Sequence, residues 1–222
     1  ARMLSAFTSP SASRIRCQMV ACALVDICYH GHDIIETAQA IIDQDGDTYL
    51  DMPEKERLEI FKDRAYAEKL KALKRDLAHF NVHYDNWFSE RTLHPDAVQA
   101  ACKVLQERGK IYEKDGALWL KSTDYGDDKD RVVIRDNGVP TYLAADIAYH
   151  KNKYDRGFKS LINIWGADHH GYVARVKAAI AALGYDPSQL EVLLLQMVSL
   201  FRDGKPVKMS KRTGQAITLN EL

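Results

Sequence analysis

No stretch of this sequence approaches the ~18 consecutive apolar residues that a bilayer-spanning helix needs. The longest apolar run, LEVLLLQMVSLF, is interrupted by Glu191, Gln196 and Ser199, so no membrane partner is expected. Charge of one sign is also lacking. The 31 basic and 31 acidic side chains cancel, and any polyanion must therefore be met by a local patch rather than by the whole surface. The four cysteines form no CxxC pair and no Cys/His spacing of a zinc site. They read as reduced packing thiols of a reducing compartment, with no metal centre. Internal repeats and low-complexity tracts are missing too. What remains, 46% hydrophobic and 28% charged over 222 residues, describes an ordinary globular chain of one large or two small domains.

The first acid is Asp26, while Arg2, Arg14, Arg16 and several serines precede it. An acid-poor, Arg- and Ser-rich start fits a targeting segment. The initial alanine fits a cut or mis-joined end equally well, so residues 1–28 are set apart as an atypical segment. Residues 29–130 read mainly as helices. DIIETAQAIIDQDG places Ile34, Ile35, Ala38, Ile41 and Ile42 on one stripe, and EKERLEIFKDRAYAEKLKALKRDLAHF repeats the pattern against a charged outer face. The alternation in FNVHYDNWFSE predicts a strand at 80–90, and HPDAVQAACKVLQERGK predicts a helix that stops at Gly109. Asp115-Gly116 between alternating segments signals a hairpin, and in VSLFRDGKPVKM two short strands are expected to join at Asp203-Gly204.

RVVIRDNGVP continues with a strand and a turn, and from Pro140 the order becomes helix, strand, helix, which implies a parallel sheet with crossover connections. TYLAADIAYHKNKY reads as a helix with Thr141 as N-cap, FKSLINIWG as a buried strand, HHGYVARVKAAIAALG as a helix, and DPSQLEVLLLQM as another helix.

Three clusters carry candidate chemistry. In YLAADIAYH, Tyr142, Asp146 and His150 recur every four residues and share one helix face. A carboxylate on a partly apolar face is costly unless it meets a cation or donors. It pairs with an internal Arg or Lys, or with the planar fork of a ligand guanidinium. In NIWGADHHGY, Gly166 ends a strand and leads to Asp168, His169 and His170, the ligand-facing edge of an open α/β sheet. There a carboxylate can accept from ribose hydroxyls and imidazoles can donate; a structural role for a histidine is the plainer alternative. In KPVKMSKRTG, Lys205, Lys208, Lys211 and Arg212 crowd ten residues that contain no acid. Such a loop either wraps a phosphate chain or is merely solvated. A lysine ~4 Å from a phosphate oxygen gains roughly 4 kcal/mol at an effective dielectric near 20.

In order, Tyr142 to His150, then Trp165 to Tyr172, then KMSKRTG closely resemble bacterial-type arginyl-tRNA synthetase, a class I aminoacyl-tRNA synthetase. The texts around FNVHYDNWFSE and IYEKDGALWL resemble its connecting region, and the resemblance runs from about Tyr29 to Leu222. It implies an α/β fold, the second half of a Rossmann-like catalytic domain over 131–222 behind a largely helical connecting region over 29–130. The implied activity is ATP-dependent ligation of L-arginine to its cognate tRNA through arginyl-adenylate, with Mg²⁺ accompanying ATP. On the matching positions, Tyr142 and Asp146 would hold the guanidinium. Gly166, Asp168, His169, His170 and Met209 would meet ATP or the adenylate. Lys208, Ser210 and Lys211 would steady the phosphates. A cytoplasmic location is expected, organellar if residues 1–28 are a transit peptide, and a monomer for the full-length enzyme.

The sequence departs from the family in three respects, lacking H-I-G-H, the Ser- and Asn-bearing stretch expected before it and a helical anticodon-binding region. H-I-G-H is missing, since His30 and His32 in YHGHDII stand two apart rather than three. The expectation is a central piece of a longer enzyme, inactive alone, weak for ATP, marginally stable and prone to associate through an uncovered sheet face. The alternatives are another class I synthetase, or a non-catalytic product that binds tRNA or a partner.

Overall fold

A computed structural model describes residues 32–207 and 217–221. They fall into two compact units, residues 32–85 with 200–207 and 217–221, and residues 86–199.

In the first unit, α1 (His32–Asp45) and α2 (Glu54–His79) are the two amphipathic helices the stripe pattern predicts. They bury Ile41, Ile42 and Phe61, with the Tyr49 ring edge-on to Phe61 at 5.3 Å. Gly46, with φ +56°, closes α1. The chain after α2 is not a strand. Asn81 takes a left-handed φ of +59°, its amide donates to the Ala78 carbonyl and that of Val82 to Leu77, which ends the helix. The alternating Phe80, Val82 and Tyr84 stay exposed. Alternation makes a strand only where a neighbour offers a ladder, and no paired strand borders these residues among those described. The short hairpin β6 (Phe201–Arg202) and β7 (Lys205–Pro206) turns at Asp203-Gly204, as expected.

The second unit positions the candidate site. Its core gathers Val98, Ala101 and Leu105 of α3 (Asp96–Glu107), Leu120 of the second strand and Leu143, Ala144 and Ile147 of α4 (Tyr142–Asp155). A meander of β1 (Ile111–Lys114), β2 (Ala117–Leu120) and β3 (Arg131–Ile134) lies against them. Asp115 and Gly116 both have positive φ, so the β1–β2 turn suits the twist of the hairpin. Burial pushes the Cys102 thiol up to about 11, so it stays protonated and packs as a small apolar group. The other three cysteines lie outside the described residues.

The expected parallel pair is present: β4 (Leu161–Gly166) runs beside β5 (Leu190–Leu195), from Leu161 opposite Leu190 to Gly166 opposite Leu195. The crossover is α5 (Val173–Leu183), ended by Gly184 at φ +94°. β5 corrects the helix expected from DPSQLEVLLLQM. Only Pro187–Gln189 make a helical turn, capped by the Asp186 carboxylate on the Ser188 amide. Leu190, Val192 and Leu194 then face α5 at period two. A run of leucines satisfies either period, and pairing with β4 decides. The opposite face is apolar and open, with Ile162, Ile164, Leu193 and Leu195 between 41% and 63% exposed. No helix among the described residues is long and apolar enough to cross a membrane.

Candidate active site

Helix α4 carries the first cluster, and its start differs from the expected cap. The Thr141 hydroxyl donates to the carbonyls of Val132 and Val133, tying the helix to β3 rather than capping it. Tyr142 is 85% exposed, so the shared face is not core at this end. One turn on, Asp146 is half-buried. Two turns on, His150 is fully buried.

His150 is a structural histidine. Its Nδ1 lies 2.7 Å from the Asp146 carbonyl and its Nε2 lies 2.9 Å from the Asn163 amide nitrogen. Lys153 donates to the Asn163 oxygen at 3.2 Å, which orients the amide. Nε2 therefore accepts and Nδ1–H donates, the neutral tautomer. Burial is the main cause that holds the His150 pKa below its usual 6.5, and Lys153 adds to it. The unfolded chain then binds the proton more readily, so stability is full above about pH 6.5 and falls as pH drops below it. Urea unfolding followed from pH 8 to pH 5 tests this: the slope below pH ~6.5 should shrink in His150→Gln.

Asp146 meets donors rather than an internal arginine. Tyr172 donates its hydroxyl to Oδ2 at 2.6 Å, and Asp146 makes no ion pair among the described residues. Burial first, then this bond and the carboxylate charge, raise the Tyr172 phenol well above its ordinary range. A carboxylate has about four lone-pair sites, so one phenol leaves a bidentate approach open. Asp146 borders a cleft of about 300 Å³ that Phe88, Glu90, Leu93, Ala145 and Tyr149 also line. Phe88 and Tyr149 stack at 4.6 Å. Two carboxylates beside stacked aromatics suit a planar cation. Glu90 and Ala145 also border a second cleft of about 250 Å³, which Arg135 and Tyr142 line.

The Gly166 corner lies at the C-terminal end of β4, where the helical turn Ala167–Tyr172 precedes α5. The two histidines thus sit on that turn rather than on the helix proper. Both are exposed, and His169 lies 3.7 Å from the Asp168 carboxylate. Neither is a core histidine. Gly166 lets the Asp168 carboxylate approach closely: a Cβ there would stand 2.6 Å from Asp168 Oδ1 and 3.7 Å from Met197 Sδ. Gly166→Ala is expected to push the Asp168 carboxylate aside. Its end is free to move, so stability should stay within about 0.5 kcal/mol. Urea unfolding beside the parent chain checks it.

Tyr172 joins the two motifs, since its hydroxyl is on Asp146 and its ring lies 5.8 Å from Trp165 at the corner. Lys208, Met209, Ser210 and Lys211 lie outside the described residues. Sequence reasoning missed Glu90, Tyr149 and Tyr172. The only sign of Glu90 was an acid two residues after an aromatic pair, Trp87-Phe88, in a stretch read as a strand. Among the described residues no group of three or more His, Cys, Asp or Glu side chains could hold a metal ion.

Residues 44–222 match the family described as tRNA synthetases class I (R), catalytic domain. Among curated proteins, an arginine–tRNA ligase of Carboxydothermus hydrogenoformans is 58% identical over 195 residues, 87% of this chain and 35% of that protein. One of Geobacillus kaustophilus is 54% identical over the same shares. The chain thus spans about a third of the length of the curated relatives it matches. A crystal structure described as an arginyl-tRNA synthetase from Campylobacter jejuni superposes with a TM-score of 0.77 at 40% identity, covering 89% of this chain and 44% of that one. The Thermus thermophilus arginyl-tRNA synthetase shares the fold at 17% identity, with a TM-score of 0.54 over 84% of this chain and 39% of that one. The α/β arrangement is thus that of a class I synthetase, and the chain belongs to the tRNA synthetases of class I (R) through their catalytic domain.

Proposed function

We propose that this chain carries the amino-acid- and ATP-handling part of an arginine–tRNA ligase. The observation that supports the reading most is the cleft in which Asp146 and Glu90 lie beside the stacked Phe88 and Tyr149, with no ion pair at Asp146 among the described residues. Asp146 and Tyr142 bind the arginine guanidinium, Glu90 adds the second negative group, and Tyr172 holds Asp146 in place.

In the first step the arginine carboxylate attacks the ATP α-phosphorus, and the bond to the bridging oxygen breaks, releasing pyrophosphate and leaving arginyl-adenylate. A hydroxyl of the terminal ribose of the tRNA then attacks the adenylate carbonyl, and AMP leaves with the electron pair. Gly166, Asp168, His169, His170 and Met209 border the nucleotide, and Lys208, Ser210 and Lys211 stabilise the charge that builds on the departing pyrophosphate. Mg²⁺ enters as the counter-ion of ATP. The working location is the cytoplasm and the full-length enzyme works as a monomer.

The test is aminoacylation of tRNA by a polypeptide of the relatives' full length that includes this chain, with each amino acid offered in turn and tRNA present from the start. Arginine alone should be esterified. Esterification of a different amino acid, or of none, would refute the reading.

A further inference from the structure

Beside the acidic cleft lies one of opposite sign. It measures about 320 Å³ and is lined by Arg131, Arg135 and Arg175 together with Thr141, Tyr142 and Tyr172, and no carboxylate borders it. The three guanidinium groups differ in how far their charge is already answered. Arg131 is bidentate on Asp127, with Nε and NH2 each at 2.8 Å, and also touches Asp128. Its charge is neutralised. Arg135 is exposed and gives one bond, from NH1 to the Pro140 carbonyl at 3.1 Å, which leaves most of its fork unused. Arg175 lies over the Tyr172 ring, 4.9 Å from its centroid, and its Nε is buried with no hydrogen-bond partner.

A half-buried arginine without an anion is an expensive arrangement for a folded chain to keep. Asp146 makes no ion pair with it: Tyr172 puts its hydroxyl on Asp146 and its ring face on Arg175. Thr141 and Tyr142 add the start of the 14-residue helix α4, whose free amides and positive dipole end favour an anion. A cation is repelled here as firmly as an anion is repelled from the Asp146–Glu90 cleft.

From this cleft we infer a second binding site, in which Arg175 and Arg135 grip a phosphate group at the N-terminal end of α4. Two guanidinium forks meet the tetrahedral oxygens of a phosphate far better than they meet a single flat carboxylate. The site stands on this cleft alone and holds whichever amino acid the neighbouring cleft takes. The phosphate can come from a phosphodiester of single-stranded RNA or from free pyrophosphate.

The chain is titrated with inorganic pyrophosphate by calorimetry, and separately with a labelled single-stranded RNA pentanucleotide by fluorescence anisotropy. Arg175→Gln and Arg135→Gln should each weaken the bound ligand about tenfold, and Arg175→Lys, which keeps the charge but loses the fork, should recover part of it. Lys103→Gln, on the exposed face of α3, should change nothing. Sensitivity of the RNA arm alone assigns the site to a phosphodiester; sensitivity of the pyrophosphate arm alone assigns it to free polyphosphate; sensitivity of both shows that either source enters. Arg135 is exposed, so Arg135→Gln reports even if Arg175→Gln fails to fold. The assignment is overturned if neither ligand responds to the arginine changes, if Lys103→Gln weakens binding equally, or if acetate displaces the ligand as well as phosphate does.

Discussion

Asp146→Asn is expected to lower kcat/KM for arginine activation by roughly 30- to 5,000-fold in the full-length context, with most of the loss in the KM for arginine. The range is that of about 2–5 kcal/mol for removing one partner of a desolvated, hydrogen-bonded charge pair. Asparagine keeps the shape and can still accept from Tyr172, so the fold should survive and the missing quantity is the negative charge. Tyr172→Phe provides the companion measurement. It leaves the carboxylate but removes its 2.6 Å donor, and a loss near tenfold is expected, again in KM. Pyrophosphate exchange with tRNA present, measured over a range of arginine concentrations, separates the two parameters. An arginine KM untouched in Asp146→Asn would remove this residue from the binding role.

Asp127→Ala should cost about 3–5 kcal/mol of stability, the penalty for stranding one member of a buried ion pair. The Asp127 side chain is 2% exposed and that of Arg131 is 12% exposed. The bidentate Arg131 guanidinium is the main reason that the Asp127 carboxyl sits well below the usual carboxylate range, and bonds from Asp128 add to it. Because the folded-state value is depressed, the pair's contribution is complete above about pH 3.8 and is lost as pH falls further toward the folded value. Denaturant unfolding at pH 7 should show the full loss in Asp127→Ala. Much of it should return in the double variant Asp127→Ala/Arg131→Met, where no charge is left alone. A double variant as unstable as the single one would mean that the acid acts through packing rather than through charge. Arg131 also borders the cleft assigned to phosphate, so this pair keeps one of three guanidinium groups neutral there.

Helices read well from the sequence where an apolar stripe met a stop. The stripes of α1, α2 and α3 ended at Gly46, at the turn after His79 and at Gly109, and local sterics decide such stops whatever the surroundings. The Asp115-Gly116 and Asp203-Gly204 turns were legible for the same reason. Residues 80–90 and 190–195 were not, because a strand is a property of two segments. Phe80, Val82 and Tyr84 alternate with no paired strand beside them among the described residues, while Leu190–Leu195 pairs with β4.

The same division runs through the candidate site. Tyr142, Asp146, Gly166 and Asp168 were readable because each sits in a short motif whose spacing carries its geometry, a helical repeat or a strand-to-turn corner. Glu90, the Tyr172 bond to Asp146, the burial of His150 against Asn163 and the buried Arg175 Nε that lacks a hydrogen-bond partner depend on contacts that the packed fold sets. Charge and hydrogen bonding act through space, and only the packed fold sets those separations. Residue types and local periods therefore named the chemistry that this chain could perform, while folding alone brought two acids into one cleft and left an arginine unanswered in the next.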